Sequence, residues 1–489
     1  MNRALRLAWP ALAAALGGAL AACTVGPDYQ EPQMAAPPSF AEAAPEAGAS
    51  AQAVAADLSA WWTAFEDPEL NDLIRRGLAG SPDIESATSR VREARLQQRI
   101  AAANELPTVD ASGNVVSLHD NHKFSSGSGS GSGSRGGGLA GLPIPSDLNL
   151  YSAGFDATWE LDIFGGGRRS VEAAKAEEAA AQWSLRDAEV SLASEIAGDY
   201  LSLREAQARI AIGEAELQRQ KDLFALIQAR RRSGFVTGLD VNQQSSLVAT
   251  AAAQIPQLEA QAKAQIHALG VLLGETPEAL STELAPPRAL PAAPPEPAAG
   301  LPSDLLRRRP DVRAAERRLA AANARIGVQV ANLFPKVNLI GLAAFASPKL
   351  DELFSSSNFA EAGVGMISEP IFNAGRTRAG IGAAKEERLQ AFDDYRTTAL
   401  GAFRDVEDAL ARYDAEETRR GHLAEALAAA ENSLAISKDQ YRVGLVNFIN
   451  VLQAQNTVLN SQDQLTQSQA QSLTDLVSLY KALGGGWSA

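Results

Sequence analysis

The chain has 489 residues and a net charge of −14, from 44 Lys and Arg against 58 Asp and Glu. That acidic balance excludes a nucleic-acid binder, which needs a basic stripe, and a single Cys excludes a disulfide framework. Aromatic residues make up only 6% while Ala and Gln abound, so a chain of this length is expected to be duplicated, multidomain or elongated rather than one compact core.

Arg3 and Arg6 precede an apolar run from Leu7 to Leu20 with the charge and length of a secretory signal. The run ends Leu20-Ala21-Ala22-Cys23, small residues leading into the only cysteine. This resembles a bacterial lipobox, which implies cleavage after residue 22 and a diacylglycerol and N-acyl chain on Cys23. Several acyl chains on one residue give stable anchoring where one does not. Thr24 in place of Asp implies, by the same resemblance, sorting to the outer membrane. The Ala/Pro/Gly-rich stretch from about Ala35 to Ala56 reads as an extended tether.

The remainder repeats itself. Ser81-Pro82-Asp83-Ile84 returns as Arg309-Pro310-Asp311-Val312, Phe164-Gly165-Gly166-Gly167-Arg168 as Phe372-Asn373-Ala374-Gly375-Arg376, and Arg232-Ser233-Gly234 as Arg442-Val443-Gly444. The offset is 228 residues before the Gly/Ser tract Ser125–Gly138 and about 210 after it, so that tract is an insertion in the first repeat. Five segments follow: a signal (1–22), a lipidated tether with an equatorial segment (23–80), a first repeat (81–280), a Pro-rich equatorial linker (281–309) and a second repeat (310–489).

Each repeat reads helix, strand, strand, long helix, helix. Pro82 and Pro310 suit first helical positions, and those helices run to about Pro107 and Pro335. Ala153, Phe155, Ala157, Trp159, Leu161 and Ile163 alternate with Gly154, Asp156, Thr158, Glu160 and Asp162, a strand between an apolar and an aqueous environment. Weaker alternation covers Val109–Val115 and Val337–Phe345, and the span Phe359–Phe372 is the least clear. Long helices then start at about Arg168 and Arg376. Ile196, Leu203, Ile210, Leu217 and Phe224 recur every seven residues, as do Phe403 and Leu410, then Leu427, Leu434 and Tyr441. Each long helix spans about 100 Å at 1.5 Å per residue. Return helices begin at about Leu239 and Phe448 and end before Gly274 and Gly484, with Pro256 expected to kink or break the first. Beyond the signal no apolar stretch could form a transmembrane helix, and four strands cannot close a barrel alone. The chain is therefore expected to oligomerise, a trimer giving twelve strands.

The motifs Cys23-Thr24-Val25-Gly26-Pro27-Asp28-Tyr29, Trp61-Trp62 with Phe65, Asp67-Pro68 and Leu70, Arg308-Arg309-Pro310-Asp311-Val312-Arg313-Ala314-Ala315-Glu316, and Leu483-Gly484-Gly485-Gly486-Trp487 carry a resemblance to a known family. The chain resembles the TolC/OprM-type outer membrane factors, lipoprotein (NodT-like) branch. The resemblance implies a mixed α and β homotrimer, with a twelve-stranded transmembrane β-barrel continuous with a long periplasmic α-helical barrel. It also implies a passive exit duct for drugs and other small toxic compounds, with a periplasmic adaptor, an inner-membrane RND transporter and outer-membrane lipid as partners. The alternatives are a metal-efflux or type I secretion role, or a structural coiled-coil spacer. No catalytic residue and no metal site are expected; His119-x-x-His122 lies beside the Gly/Ser tract with no catalytic partner evident. The run Arg307-Arg308-Arg309 reads equally well as a charged surface beside a helix start.

Two turns complete the expectations. Ser233-Gly234-Phe235 and Val443-Gly444-Leu445 each join two helices through a glycine and expose an apolar residue, and they are expected to dock the adaptor. Val443-Gly444-Leu445 also looks like the family's tip motif. The resemblance further implies a closed periplasmic gate built on an Asp240–Tyr441 link with Arg442 nearby; a helix-capping role for Asp240 is the competing reading. Asn450 and Gln453 stand where the family often has Asp.

Overall fold

In a computed structural model the described residues are 24–43, 58–119, 147–297 and 299–487. Cys23, the Gly/Ser tract 125–138 and His122 lie outside them. Elements follow the expected order: a 3-10 helix (Leu58–Phe65), α1 (Pro68–Gly80), α2 (Pro82–Ala103), β1 (Thr108–His119), β2 (Asp147–Leu161), α3 (Gly166–Arg232), α4 (Gly238–Leu272), short helices α5 (Ser281–Leu284) and α6 (Pro302–Arg308), α7 (Pro310–Ala331), β3 (Lys336–Ser347), β4 (Phe359–Ser368), α8 (Arg376–Arg442) and α9 (Phe448–Ala482). Helices α3 and α8 each run 67 residues. Among the described residues no helix is long and apolar enough to cross a membrane.

The chain forms two compact units, and each draws on both repeats: residues 1–30, 95–176 and 320–389 make one, residues 31–94, 177–319 and 390–489 the other. The first holds an antiparallel sheet in the order β1-β2-β3-β4. Its register sorts side chains by face, because directly opposed residues share one. Ala111, Phe155 and Ala343 lie in one row, and Trp159, Leu339 and Gly365 in another. Across the rows that pass through Ala153 to Leu161, this face is apolar except for Glu361, opposite Ala343. The other face carries Asp110 against Asp156 and Asn114 against Ser152 in β1 and β2, but Ile340 against Val364 and Leu342 against Ala362 in β3 and β4. It is polar over half its width.

Phe155 is 61% exposed on the apolar face. A charge on a lipid-facing barrel position costs up to a few kcal/mol, depending on depth. Phe155→Arg is therefore expected to lower the yield of outer-membrane protein far more than Asp156→Asn, read by quantitative blotting of membrane fractions. Equal losses would contradict this assignment of the two faces.

The start of the described chain is held in this same unit. The Val25 amide donates to the Phe164 carbonyl at 3.1 Å. The buried Arg169 guanidinium donates to the Val25 carbonyl at 3.1 Å and to the Asp28 carboxylate at 2.6 Å. Asn323 donates to the Pro27 carbonyl at 3.0 Å. The residues after Cys23 are therefore fixed along the chain rather than trailing from it.

The second unit contains the main core, where Trp61, Phe65, Leu70 and Ile74 pack with Ile196, Tyr200, Leu269, Leu476 and Tyr480. Trp61 stacks on Tyr480 at 5.1 Å, and the Gly486 amide donates to the Leu58 carbonyl at 2.8 Å. Asp67 caps α1, accepting from the amides of Glu69 and Leu70, a role that suits Asp before a first-position Pro. Its second oxygen accepts from the Tyr200 hydroxyl at 2.6 Å. Arg204, wholly buried, donates to Glu69, to Gln207 at 2.6 Å and to the Pro286 carbonyl at 3.3 Å.

Three expectations need correction. Arg309 is not part of a surface charge run: its guanidinium donates to Asp311, Asp405 and the Ala482 carbonyl with the side chain 12% exposed. Its neighbour Arg307 is an exposed charge, paired with Asp304 at 2.6 Å. Helix α4 continues through Pro256 unbroken; the missing amide leaves the Ala252 carbonyl without its helical donor, while Ile255, Ala262 and Ile266 hold the helix by burial. The seven-residue stripe on α3 buries Ile196 and Leu203 fully, but further along its own positions give way to Glu216 and Gln220, which are buried before the apolar Ile227. There Gln244 of α4 donates to the Gln220 side chain at 2.5 Å and Gln220 to Glu216 at 2.5 Å, a polar set in place of a continued apolar stripe.

Candidate docking tip and gate

The two helix-to-helix turns of the second unit are built alike. Gly234 and Gly444 both have φ of +77°, a left-handed conformation that costs glycine nothing. In the first turn the Phe235 amide donates to the Arg230 carbonyl at 3.0 Å and the Gly234 amide to the Arg231 carbonyl at 3.0 Å. In the second, the Leu445 amide donates to the Gln440 carbonyl at 2.9 Å and the Gly444 amide to the Tyr441 carbonyl at 3.1 Å. Each is a Schellman ending, which satisfies the last carbonyls of α3 and α8 without using a side chain. The side chains beyond are therefore free to face solvent. Phe235 is 81% exposed, Leu445 75% and Val443 69%. Ser233 is also exposed, its hydroxyl donating back to the Ala229 carbonyl at 3.4 Å.

The following helices start differently. Thr237 accepts from the Asp240 amide, and the Asp240 carboxylate accepts from the Thr237 amide and hydroxyl, both at 2.7 Å. This is a capping box. Those hydrogen bonds hold the Asp240 carboxyl below the usual carboxylate range, so the cap is complete at neutral pH and is lost only as pH falls through that lowered value. In α9 the equivalent first residue, Asn447, makes no side-chain cap, and Asn450 occupies the position that Asp240 holds in α4.

Within one copy of the chain the expected gate residues have these partners. Asp240 is held by Thr237, and the Tyr441 hydroxyl accepts from Arg230 at 2.8 Å. The Tyr441 ring packs on Phe448 with centroids 5.3 Å apart, and Arg442 pairs with Asp439 at 3.0 Å. One oxygen of the Asp240 carboxylate, Oδ2, takes both hydrogen bonds from Thr237. Arg230, which no motif marked, links the ends of the two long helices; only the fold reveals it, because it lies 211 residues from its partner. Asn450 and Gln453 are both exposed. Among the described residues no group of His, Cys, Asp or Glu could hold a metal ion.

An antiparallel sheet with one apolar face, in a chain whose long helices end in exposed apolar turns, fits the membrane channel that the resemblance implies. The chain belongs to the outer membrane efflux protein family, whose profile matches residues 73–275 and 301–485; it is an outer-membrane efflux channel protein and not an enzyme. It is similar to the pyoverdine export outer membrane protein OpmQ of Pseudomonas aeruginosa, 33% identical over 444 residues and 90% of each chain. The solvent efflux pump outer membrane protein SrpC of Pseudomonas putida is 32% identical over 474 residues, 96% of each chain. Among solved structures, the outer-membrane channel OprN matches with a TM-score of 0.83 at 34% identity, covering 95% of this chain and 100% of that one.

Proposed function

We propose that three copies of the chain close a twelve-stranded barrel in the outer membrane, which serves as the exit duct of an RND-type tripartite pump. The observation that carries this reading is the sheet itself: among the described residues β1 and β4 each have only one neighbour, and an open edge is not tolerated in lipid. Small organic cargo is supported by relatives named for pyoverdine export, solvent efflux and toluene efflux. Cys23 carries the diacylglycerol and N-acyl anchor. Phe235, Val443 and Leu445, beside Ser233, Gly234 and Gly444, dock a periplasmic adaptor, which couples the duct to an inner-membrane transporter. Near these turns Tyr441 and Arg230 hold the entrance narrow, with Asp240, Asn450 and Gln453 around it.

Single-channel recording in planar bilayers tests the reading. The wild-type protein is expected to conduct weakly, and Arg230→Ala with Tyr441→Phe to conduct several-fold more, because the hydrogen bond between the helix ends is gone. Amides at 450 and 453 focus no negative field of the kind carboxylates would, so trivalent cations are expected to block poorly. Absence of any conductance would overturn the closed-barrel reading; unchanged conductance in the double variant would remove Arg230 and Tyr441 from the gate.

A further inference from the structure

The apolar face of the sheet is not evenly covered. Two of its adjacent rows are Trp159, Leu339, Gly365 and Ala157, Gly341, Gly363. Together with Pro107 they bound a groove of about 370 Å³. The glycines open it. A Cβ on Gly363 would meet nothing within 4 Å, and one on Gly341 only the Ala157 methyl at 3.8 Å. One wall is fixed: the Trp159 indole donates to the Glu105 carbonyl at 2.8 Å. Glycine inside a strand weakens it and often marks close approach by another group.

We propose that this groove holds an acyl chain of the lipid carried by Cys23. The proposal rests on the acylation of Cys23 and on the membrane placement of the sheet given above. Position argues for this occupant. Val25 is hydrogen-bonded to Phe164, three residues beyond the end of β2, and Thr24 lies against Gly165. Cys23 is bonded to Thr24, so its lipid is delivered at the foot of the strand that carries Trp159. Six residues separate Trp159 from Gly165, at most about 22 Å of chain; an acyl chain spanning one leaflet covers about 15 Å, half of the hydrocarbon core. A chain tethered beside the groove also enters it at far higher effective concentration than a free lipid of equal affinity.

Photocrosslinking in intact membranes tests this. Leu339 is already large and exposed, so Leu339→p-benzoylphenylalanine places the probe in the groove, and Leu342→p-benzoylphenylalanine, outside the groove's lining, places it on the opposite face as a control. After irradiation and proteolysis, the β3 peptide from the 339 variant is expected to carry the acylated N-terminal peptide, several-fold more than the 342 variant. On a Cys23→Ser background, the 339 variant should capture phospholipid alone. Capture of phospholipid alone with Cys23 intact, when intact mass shows that Cys23 is acylated, would overturn the proposal while leaving the anchor in place. An unmodified thiol at Cys23 would overturn the acylation reading as well, and adducts favouring position 342 would overturn the facing of the sheet.

Discussion

Substituting Phe235 and Leu445 with Asp should abolish drug resistance in cells while the amount of assembled protein in the outer membrane stays normal. The separation of the two effects follows from the turns. Their backbone is closed by Schellman bonds and positive-φ glycines, and neither side chain supports a core, being 81% and 75% exposed. Folding therefore loses nothing when they change. Docking loses the burial of a large apolar side chain, about 1.5–3 kcal/mol at each contact, and gains a carboxylate that must be desolvated. In the proposed three-copy duct every chain contributes two such turns, so the losses accumulate. Resistance assays alongside chemical cross-linking to the adaptor would check it. Wild-type efflux in the double variant would place docking elsewhere on the helices.

Arg204→Met should destabilise the second unit by up to about 3–5 kcal/mol, because it removes the buried cationic partner of Glu69 and leaves that carboxylate only the Tyr200 hydroxyl at 3.2 Å and the half-exposed Arg288 at 3.5 Å. Glu69 is 8% exposed and Arg204 is wholly buried. The guanidinium also lies 4.7 Å from the Tyr200 ring centroid, and burial, reinforced by Asp67, keeps the Tyr200 hydroxyl neutral by raising its pKa. Loss of the arginine thus disturbs the capping of α1 as well as the ion pair. Removing both charges, Arg204→Met with Glu69→Leu, should recover much of the loss, since apolar replacement of a whole buried pair is often tolerated. Thermal unfolding in detergent, followed by the fluorescence of Trp61 and Trp62 at one fixed scan rate, would measure both. If the single variant melts with the wild type, the network contributes little to stability.

What could be read in advance follows the range of the interaction. Pro82 and Pro310 open their helices, Gly234 and Gly444 reverse the chain, and the alternation around Phe155 marks a strand, because each signal is complete within a few residues. The same holds for the capping of α4 by Thr237 and Asp240, which competed with the gate reading on local grounds. The contacts that fix Arg169, Arg204, Arg230 and Arg309 were illegible. Their partners lie up to 211 residues away, and an arginine in a sequence carries no mark of whether it is buried. Pro256, read locally as a kink or a break, does not break α4, because packing of the surrounding apolar residues holds the helix together. The polar set at Glu216, Gln220 and Gln244 escaped because the heptad signal continued past the point where burial had shifted to other positions.

The unpaired flanks of β1 and β4 also set terms for how the protein is made. A solitary copy presents two rows of free amide and carbonyl groups beside an apolar surface, the combination that templates aggregation. For the proposed three-copy barrel completion is a matter of mass action, because pairing requires other copies. Newly exported chains at low abundance should therefore spend longest in the hazardous state, dependent on periplasmic chaperones and exposed to proteases. Overproduction carries the opposite risk, filling the periplasm with adhesive edges faster than the membrane can accept them.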